Sequence, residues 1–95
     1  MKYIGFWSYA PEETQKAIDT WKASLEKRKK NENRYPKTIF GPYQYNGQTS
    51  GFTCFEAENP EQLTWLQTDY IGVLSWEFVP IIANEKAAEI FIKNK

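Results

Sequence analysis

The chain has 95 residues, and 12 Lys and Arg balance 12 Asp and Glu, so its formal net charge is zero. A neutral chain lacks the long-range attraction by which proteins bind nucleic acids or anionic membranes. It also has no run of about 20 apolar residues that could span a bilayer. We therefore expect a single domain over residues 1–95 with neither a nucleic-acid nor a membrane partner.

Histidine is absent from the sequence, and Cys54 is the only cysteine. Without histidine the chain lacks the most frequent general base and the most frequent metal ligand in proteins. We therefore expect no metal site and no bound cofactor. A single cysteine excludes an internal disulfide and indicates a reducing, cytoplasmic setting.

The first predicted elements are a strand and a long helix. Lys2–Tyr9 is aromatic and β-prone, which predicts strand one. Pro11 suits the first position of a helix that runs to about Lys30. The apolar residues of this helix recur at helical spacing and predict one buried stripe, formed by Ala17, Ile18, Trp21 and Leu25.

This helix ends in Lys27-Arg28-Lys29-Lys30, the only basic run of the chain. Cations are favoured at a helix C-terminus, and this is our preferred interpretation of the run. The alternative is an anion- or phosphate-binding patch. The flanking Glu26 and Glu32 and the neutral chain favour the first interpretation.

A hairpin is predicted next. Thr38–Tyr45 is strand two, interrupted by Gly41-Pro42, and Gly51–Ala57 is strand three. Asn46-Gly47 between them is a strong turn signal.

A short helix and a last strand follow the hairpin. Asn59 is typical of an N-cap, so the helix begins at Pro60 and ends near Gly72. Its buried face is predicted to consist of Leu63, Leu66 and Tyr70. Leu74–Ile82 is strand four, and Asn84 begins a short C-terminal helix.

The order β-α-β-β-α-β predicts a ferredoxin-like α+β fold. Its sheet is antiparallel and four-stranded, with the order 4-1-3-2 and both helices on one face. Proline belongs on edge strands or at bulges. Pro42 and Pro80 fall on strands two and four, which are the two predicted edges.

Strands one and four are apolar or aromatic on both faces, yet the two helices cover only one face of the sheet. The other face would expose more apolar surface than a soluble monomer usually shows. We expect a second copy to cover it, which gives a homodimer with two sheets packed face to face. The alternative is that the C-terminal helix folds back over the sheet.

Four segments resemble a family of small microbial proteins known only as a domain of unknown function. They are Phe40–Gly47, Gly51–Ala57, Asn59–Leu63 and Trp76–Ile81. That family is allied to the ferredoxin-like, dimeric α+β barrel class, and the likeness covers nearly the whole chain. The resemblance implies this fold and a homodimer. It implies no activity and no catalytic residues.

Glu77 is the candidate catalytic residue, because a carboxylate within an apolar cleft can act as an acid or a base. The alternative is a paired or edge-exposed carboxylate. Aromatic rings stack on flat ligands, and the predicted ligand-binding residues are Trp7, Tyr43, Tyr45, Glu56 and Glu77. The alternatives are packing at the dimer interface for the three aromatic residues and a solvated strand end for Glu56.

We predict a small homodimer that binds a small apolar or aromatic molecule in the cleft between sheet and helices. Two alternatives stay open. One is a cofactor-independent enzyme, a monooxygenase or isomerase with Glu77 as its base. The other is a structural dimer with a filled interior. A cavity of a few hundred Å³ would favour the first two functions.

Overall fold

The computed structural model describes residues 1–94, which form one antiparallel four-stranded sheet and three α-helices. The strands are β1 (Lys2–Ser8), β2 (Lys37–Gln44), β3 (Ser50–Glu56) and β4 (Ser75–Ile81). The helices are α1 (Thr14–Lys30), α2 (Pro60–Asp69) and α3 (Asn84–Lys93). A 3₁₀ turn at Pro11–Glu13 leads into α1. All the predicted strands and helices are present, with bounds shifted by a few residues.

The sheet has the order β2-β3-β1-β4, which is the predicted order read from the other edge. Central β1 pairs antiparallel with both β3 and β4. Pro42 and Pro80 therefore lie on the two edge strands, as predicted. The β2–β3 register shifts twice, and one of the shifts, between Phe40 and Tyr43, spans Gly41-Pro42. The α+β class and the strand order are confirmed.

Strand alternation divides the sheet into two faces. The inner face, which lies under α1 and α2, carries Gly5, Trp7, Gly51, Thr53, Phe55, Trp76 and Phe78. The outer face carries Ile4, Phe6, Phe40, Tyr43, Phe52, Cys54, Glu77 and Val79.

The core lies between the inner face and α2. Phe55, Leu66 and Tyr70 are at most 2% exposed. The ring of Phe55 meets those of Trp76 and Phe78 edge to face, with centroids 5.8 and 6.1 Å apart. The predicted buried face of α2 is therefore confirmed, since its third member, Leu63, is buried as well.

The N-cap of α2 is also confirmed. Asn59 Oδ1 accepts a hydrogen bond from the backbone N–H of Gln62 at 3.1 Å. The Gln62 side chain in turn bonds back to the residue before the N-cap: its Oε1 accepts a hydrogen bond from the backbone N–H of Glu58 at 2.8 Å. Local hydrogen bonds thus fix the direction in which α2 leaves the sheet.

Helix α1 is not closed onto the sheet. Only Ala17 and Ser24 are buried, whereas Ile18 and Trp21 keep 38% and 40% of their surface exposed. The prediction of one buried stripe is therefore confirmed for Ala17 and wrong for Ile18 and Trp21, while Leu25 is half-buried. The side chains of Ile18 and Trp21 line a cavity instead of entering the core.

Helix α3 projects from the rest of the domain. None of residues 84–93 is buried. The projection lengthens the molecule to 51 Å and its radius of gyration to 15.3 Å, compared with about 12 Å for a compact chain of this length. The alternative in which the C-terminal helix folds back over its own sheet is contradicted, and the outer face of the single chain is open.

Candidate binding cavity between helix α1 and the sheet

A cavity of about 400 Å³ lies between α1 and the inner face. This volume falls within the range of about 300–1,000 Å³ that is usual for small-molecule sites. Helix α1 contributes Ala17, Ile18, Trp21 and Leu25, and the sheet contributes Trp7, Phe55 and Trp76. The walls are therefore mainly aromatic and aliphatic.

Two glycines of the inner face explain why this space is left open. A Cβ atom on Gly5 would lie 2.9 Å from the rings of Trp76 and Phe78. A Cβ atom on Gly51 would lie 2.5 Å from the ring of Trp7. Because both positions lack a side chain, the three rings lie low across the strands. The volume above them, beneath α1, remains as the cavity.

Polar atoms interrupt the apolar wall at a few positions. Arg28 Nη2 donates a hydrogen bond to the hydroxyl oxygen of Tyr70 at 3.1 Å, and Arg28 Nε donates to Ser24 Oγ at 3.2 Å. Elsewhere in the wall, Trp7 Nε1 donates to Thr53 Oγ1 at 3.2 Å. Burial raises the pKa of Tyr70, and the positive charge of Arg28 opposes that effect. Tyr70 is therefore neutral at physiological pH.

The indole N–H of Trp76 differs from that of Trp7. Its Nε1 is buried and has no hydrogen-bond acceptor among residues 1–94. A buried donor without an acceptor costs about 1–3 kcal/mol. Trp76 itself lines the cavity, so an unsatisfied buried donor belongs to a residue of the cavity wall.

The buried carboxylate of Asp69 is linked to Arg28 of the cavity wall through the hydroxyl of Ser24. Asp69, whose side chain is 7% exposed, accepts from Ser24 Oγ at 2.9 Å, from the Tyr35 hydroxyl at 3.3 Å and from Lys27 Nζ at 3.5 Å. Burial, followed by Asp69 itself, raises the pKa of Tyr35. This network ties α1 to α2 and holds Ser24, which in turn positions Arg28.

Sequence reasoning missed Arg28, Ser24 and Asp69 as parts of one site. Asp69 is 45 residues from Ser24, and no local pattern links them. A signal for Arg28 was present, because it continues the helical spacing of Trp21 and Leu25 by one more turn. The basic run around it concealed that spacing.

The predicted aromatic residues lie on two different faces of the sheet. Trp7 lines the cavity. Tyr43 and Tyr45 stack against Phe52, with ring centroids 6.1 and 6.3 Å from it, and Phe52 belongs to the outer face. The structure therefore does not bring Trp7 together with the two tyrosines.

The predicted carboxylates also lie away from the cavity. Glu77 is exposed on the outer face, where it pairs in register with Phe6. Glu56 lies at the end of β3, and its Oε2 forms an ion pair with the amino group of Met1 at 3.0 Å. Neither residue lines the cavity.

The described residues that line the cavity include no carboxylate and no cysteine; the ionisable ones are Tyr9, Arg28 and Tyr70. Across residues 1–94, no three Cys, Asp or Glu side chains are grouped so that they could hold a metal ion. The polar groups of the cavity wall therefore include hydroxyls, one side-chain amide and one positive charge, set among aromatic and aliphatic side chains.

Fold and cavity together define an α+β domain in which a helix stands off an antiparallel sheet. The family model described as Domain of unknown function (DUF3303) matches residues 1–95, and the chain belongs to this family. Comparison with curated proteins gives no match, and neither does comparison with solved structures. Within residues 1–94, no helix has the length and apolar character needed to cross a membrane.

Proposed function

We propose that the protein binds a small apolar or aromatic molecule in the cavity between α1 and the inner face. The cavity itself carries this proposal: about 400 Å³ lies between aromatic walls in a chain of 95 residues. A domain of this size has little core with which to offset lost packing. A ligand that fills the space restores those contacts. The alternative of a structural dimer with a filled interior does not account for this open cavity.

The alternative of an enzyme that uses Glu77 as its base gains no support from the cavity. Glu77 is exposed on the outer face, on the far side of the sheet. A general base must reach the proton that it removes, directly or through one water molecule. Binding without turnover is therefore the function that the cavity favours.

The binding proposal can be tested with cinnamide, a flat neutral aromatic amide, by isothermal titration calorimetry. We expect Ala17→Leu to weaken binding by about tenfold or more, because the larger side chain occupies the cavity. Ala23→Leu is the matched control, since Ala23 is an exposed residue of the same helix. Failure of both cinnamide and cinnamate to bind the wild-type protein would contradict the proposal, as would equal binding by wild type and Ala17→Leu.

We also propose that the fold is ferredoxin-like and that two copies pair through their outer faces, as in dimeric α+β barrels. The middle rows of this face are mostly apolar and include Ile4, Phe6, Phe40, Tyr43, Phe52 and Val79. The cross-strand row at one end is Lys37, Glu56, Lys2 and Ile81, so three of its four residues are charged, and the row at the other end is Ser50, Ser8 and Ser75. An apolar centre with polar borders is typical of protein interfaces.

The size of the outer face also supports pairing. Strands of seven or eight residues make a face of about 23 Å by about 19 Å, or about 440 Å² on each copy. Two such faces would bury about 900 Å² before the relief of the side chains is counted, close to the lower limit for a specific interface. Phe40 and Tyr43 are 52% and 55% exposed on this face, so a second copy has substantial apolar surface to cover.

A cytoplasmic location belongs to the same proposal. Cys54 is a free thiol on the outer face and pairs in register with Ile4. A lone free thiol is compatible with a reducing compartment. Localisation of a tagged protein in its native cell would test this directly.

A further inference from the structure

We infer that the ligand of this cavity is a flat apolar molecule with a single anionic group, a carboxylate in the first instance, and that Arg28 binds this group. The inference rests on the proposed binding function and specifies its ligand class. Arg28 lies on α1 one turn beyond Leu25, and both residues line the cavity. A half-buried arginine therefore forms part of a mainly apolar wall.

The charge of Arg28 is not neutralised by the protein. Among residues 1–94, Arg28 forms no ion pair, and its nearest acidic connection runs through the Ser24 hydroxyl to Asp69. Asp69 is itself paired with Lys27. With Lys27 and Arg28 positive and Asp69 negative, the cluster carries one net positive charge. One negative charge on a ligand complements it.

The guanidinium is also held in place for a ligand. Nε donates to Ser24 and Nη2 donates to Tyr70, whereas Nη1 has no acceptor among the described residues. Two of its nitrogens are anchored, so little side-chain freedom remains to be lost when an anion binds. The two oxygens of a carboxylate match the planar fork of arginine, and a single negative charge equals the net charge of the cluster.

A second donor lies next to this group. Tyr70, which accepts from Arg28, packs edge to face against Trp76 with ring centroids 5.7 Å apart. Trp76 Nε1 is the buried donor without an acceptor. The guanidinium of Arg28 and the ring of Trp76 therefore both contact Tyr70, while the surrounding aromatic rings suit a flat apolar body. This combination selects an apolar monocarboxylate over a neutral molecule of the same shape.

Cinnamate and cinnamide provide the test, because they are nearly identical in shape and only cinnamate is charged. We expect calorimetry to give a dissociation constant for cinnamate about 10- to 100-fold lower than that for cinnamide, the range for a hydrogen bond to a charged group. Arg28→Met should abolish this ratio, because the wall then carries no positive charge to distinguish the two molecules. Arg34→Met is the control, because Arg34 lies over Trp65, 4.4 Å from the ring centroid, and does not line the cavity.

Each outcome decides a separate point. Equal affinity of wild type for cinnamate and cinnamide would overturn the anionic ligand class and leave the binding function intact. Failure of both molecules to bind would overturn the binding function as well. Persistence of the cinnamate preference in Arg28→Met would overturn the role of Arg28. Arg28→Lys is a second variant that tests the same role if Arg28→Met does not fold. It keeps the positive charge and should retain part of the preference for cinnamate.

Discussion

At the scale of single residues, Gly5 links the fold most directly to the cavity. A Cβ atom at this position would lie 2.9 Å from the rings of Trp76 and Phe78 and 3.1 Å from that of Phe55. We therefore expect Gly5→Ala to displace these rings and to lower the free energy of unfolding by about 1–3 kcal/mol, the usual effect of overpacking. Urea denaturation followed by tryptophan fluorescence measures this change.

Ser8→Ala is the control for Gly5→Ala. Ser8 lies on the same strand, and its side chain is exposed. Its substitution should change the free energy of unfolding by no more than about 0.5 kcal/mol. If Gly5→Ala unfolds at the same urea concentration as wild type, the rings are not packed against the backbone of β1 as described.

Two buried tyrosines predict how stability depends on alkaline pH. Burial is the main cause that raises the pKa of both Tyr70 and Tyr35 above the ordinary value of 10.0. Tyrosine in the unfolded chain loses its proton first as pH rises, so the unfolded state binds fewer protons than the folded state. The stabilisation that comes from the raised pKa of these two tyrosines is complete below the pKa of tyrosine in the unfolded chain. It is lost as pH rises through their pKa in the folded protein.

The free energy of unfolding should therefore fall as pH rises through and above the ordinary tyrosine value of 10.0. The fall should be shallower in Tyr70→Phe, which lacks this hydroxyl. Tyr43→Phe is the control, because Tyr43 is exposed. Urea titrations across the pH range measure the slope. An identical slope in wild type and Tyr70→Phe would show that Tyr70 has no part in it.

Residue roles were harder to predict from the sequence than residue environments. The alternation of β4 correctly separates Glu77 from Trp76 and Phe78, because neighbouring residues of a strand face opposite sides. Which of the two sides lies under the helices could not be read from β4, since both carry apolar residues. The answer depends on tertiary contacts, such as those of Trp76 with Tyr70 and Phe55, which the pattern of one strand does not contain.

At the scale of elements, the N-cap of α2 is a local feature whose effect can be measured. Asn59 Oδ1 satisfies the backbone N–H of Gln62. We expect Asn59→Ala to lower the free energy of unfolding by about 1 kcal/mol, because this donor loses the shorter of its two hydrogen bonds and keeps only the one to the Asn59 carbonyl oxygen. Asn59→Asp keeps the oxygen and should stay within about 0.5 kcal/mol of wild type. Equal loss in both variants would mean that the amide group, not the cap oxygen, stabilises α2.

The elements themselves were predictable because their signals are local. The Asn59 cap, the Asn46-Gly47 turn and the two edge prolines act over a few residues, and each lies where the sequence placed it. The separation of α1 from the sheet is different. It depends on Gly5 and Gly51, which matter only once the rings of other strands lie across them. Helical periodicity in α1 predicts a buried stripe and carries no information about this gap.

At the scale of the whole molecule, the open outer face and the projecting α3 belong together. A single chain leaves Phe40 half exposed on the outer face, and Ile90 and Ile92 of α3 are 52% and 70% exposed. Both features therefore favour an assembly larger than one chain, which the sequence predicted from the two apolar phases of strands one and four.

This proposal predicts that the protein sediments as a dimer at micromolar concentration and that Phe40→Glu sediments as a monomer. Phe40 packs with Tyr43 and Phe52 in the aromatic cluster of the outer face, with ring centroids 5.0 and 6.0 Å away. If two faces met, a carboxylate at this position would lose its hydration and gain no partner. The dissociation constant of the dimer should therefore rise by about 100-fold or more. Ile71→Glu is the matched control, because Ile71 is 76% exposed and lies off the sheet. A wild-type protein that stays monomeric, or a Phe40→Glu variant that stays dimeric, would rule out pairing through the outer face.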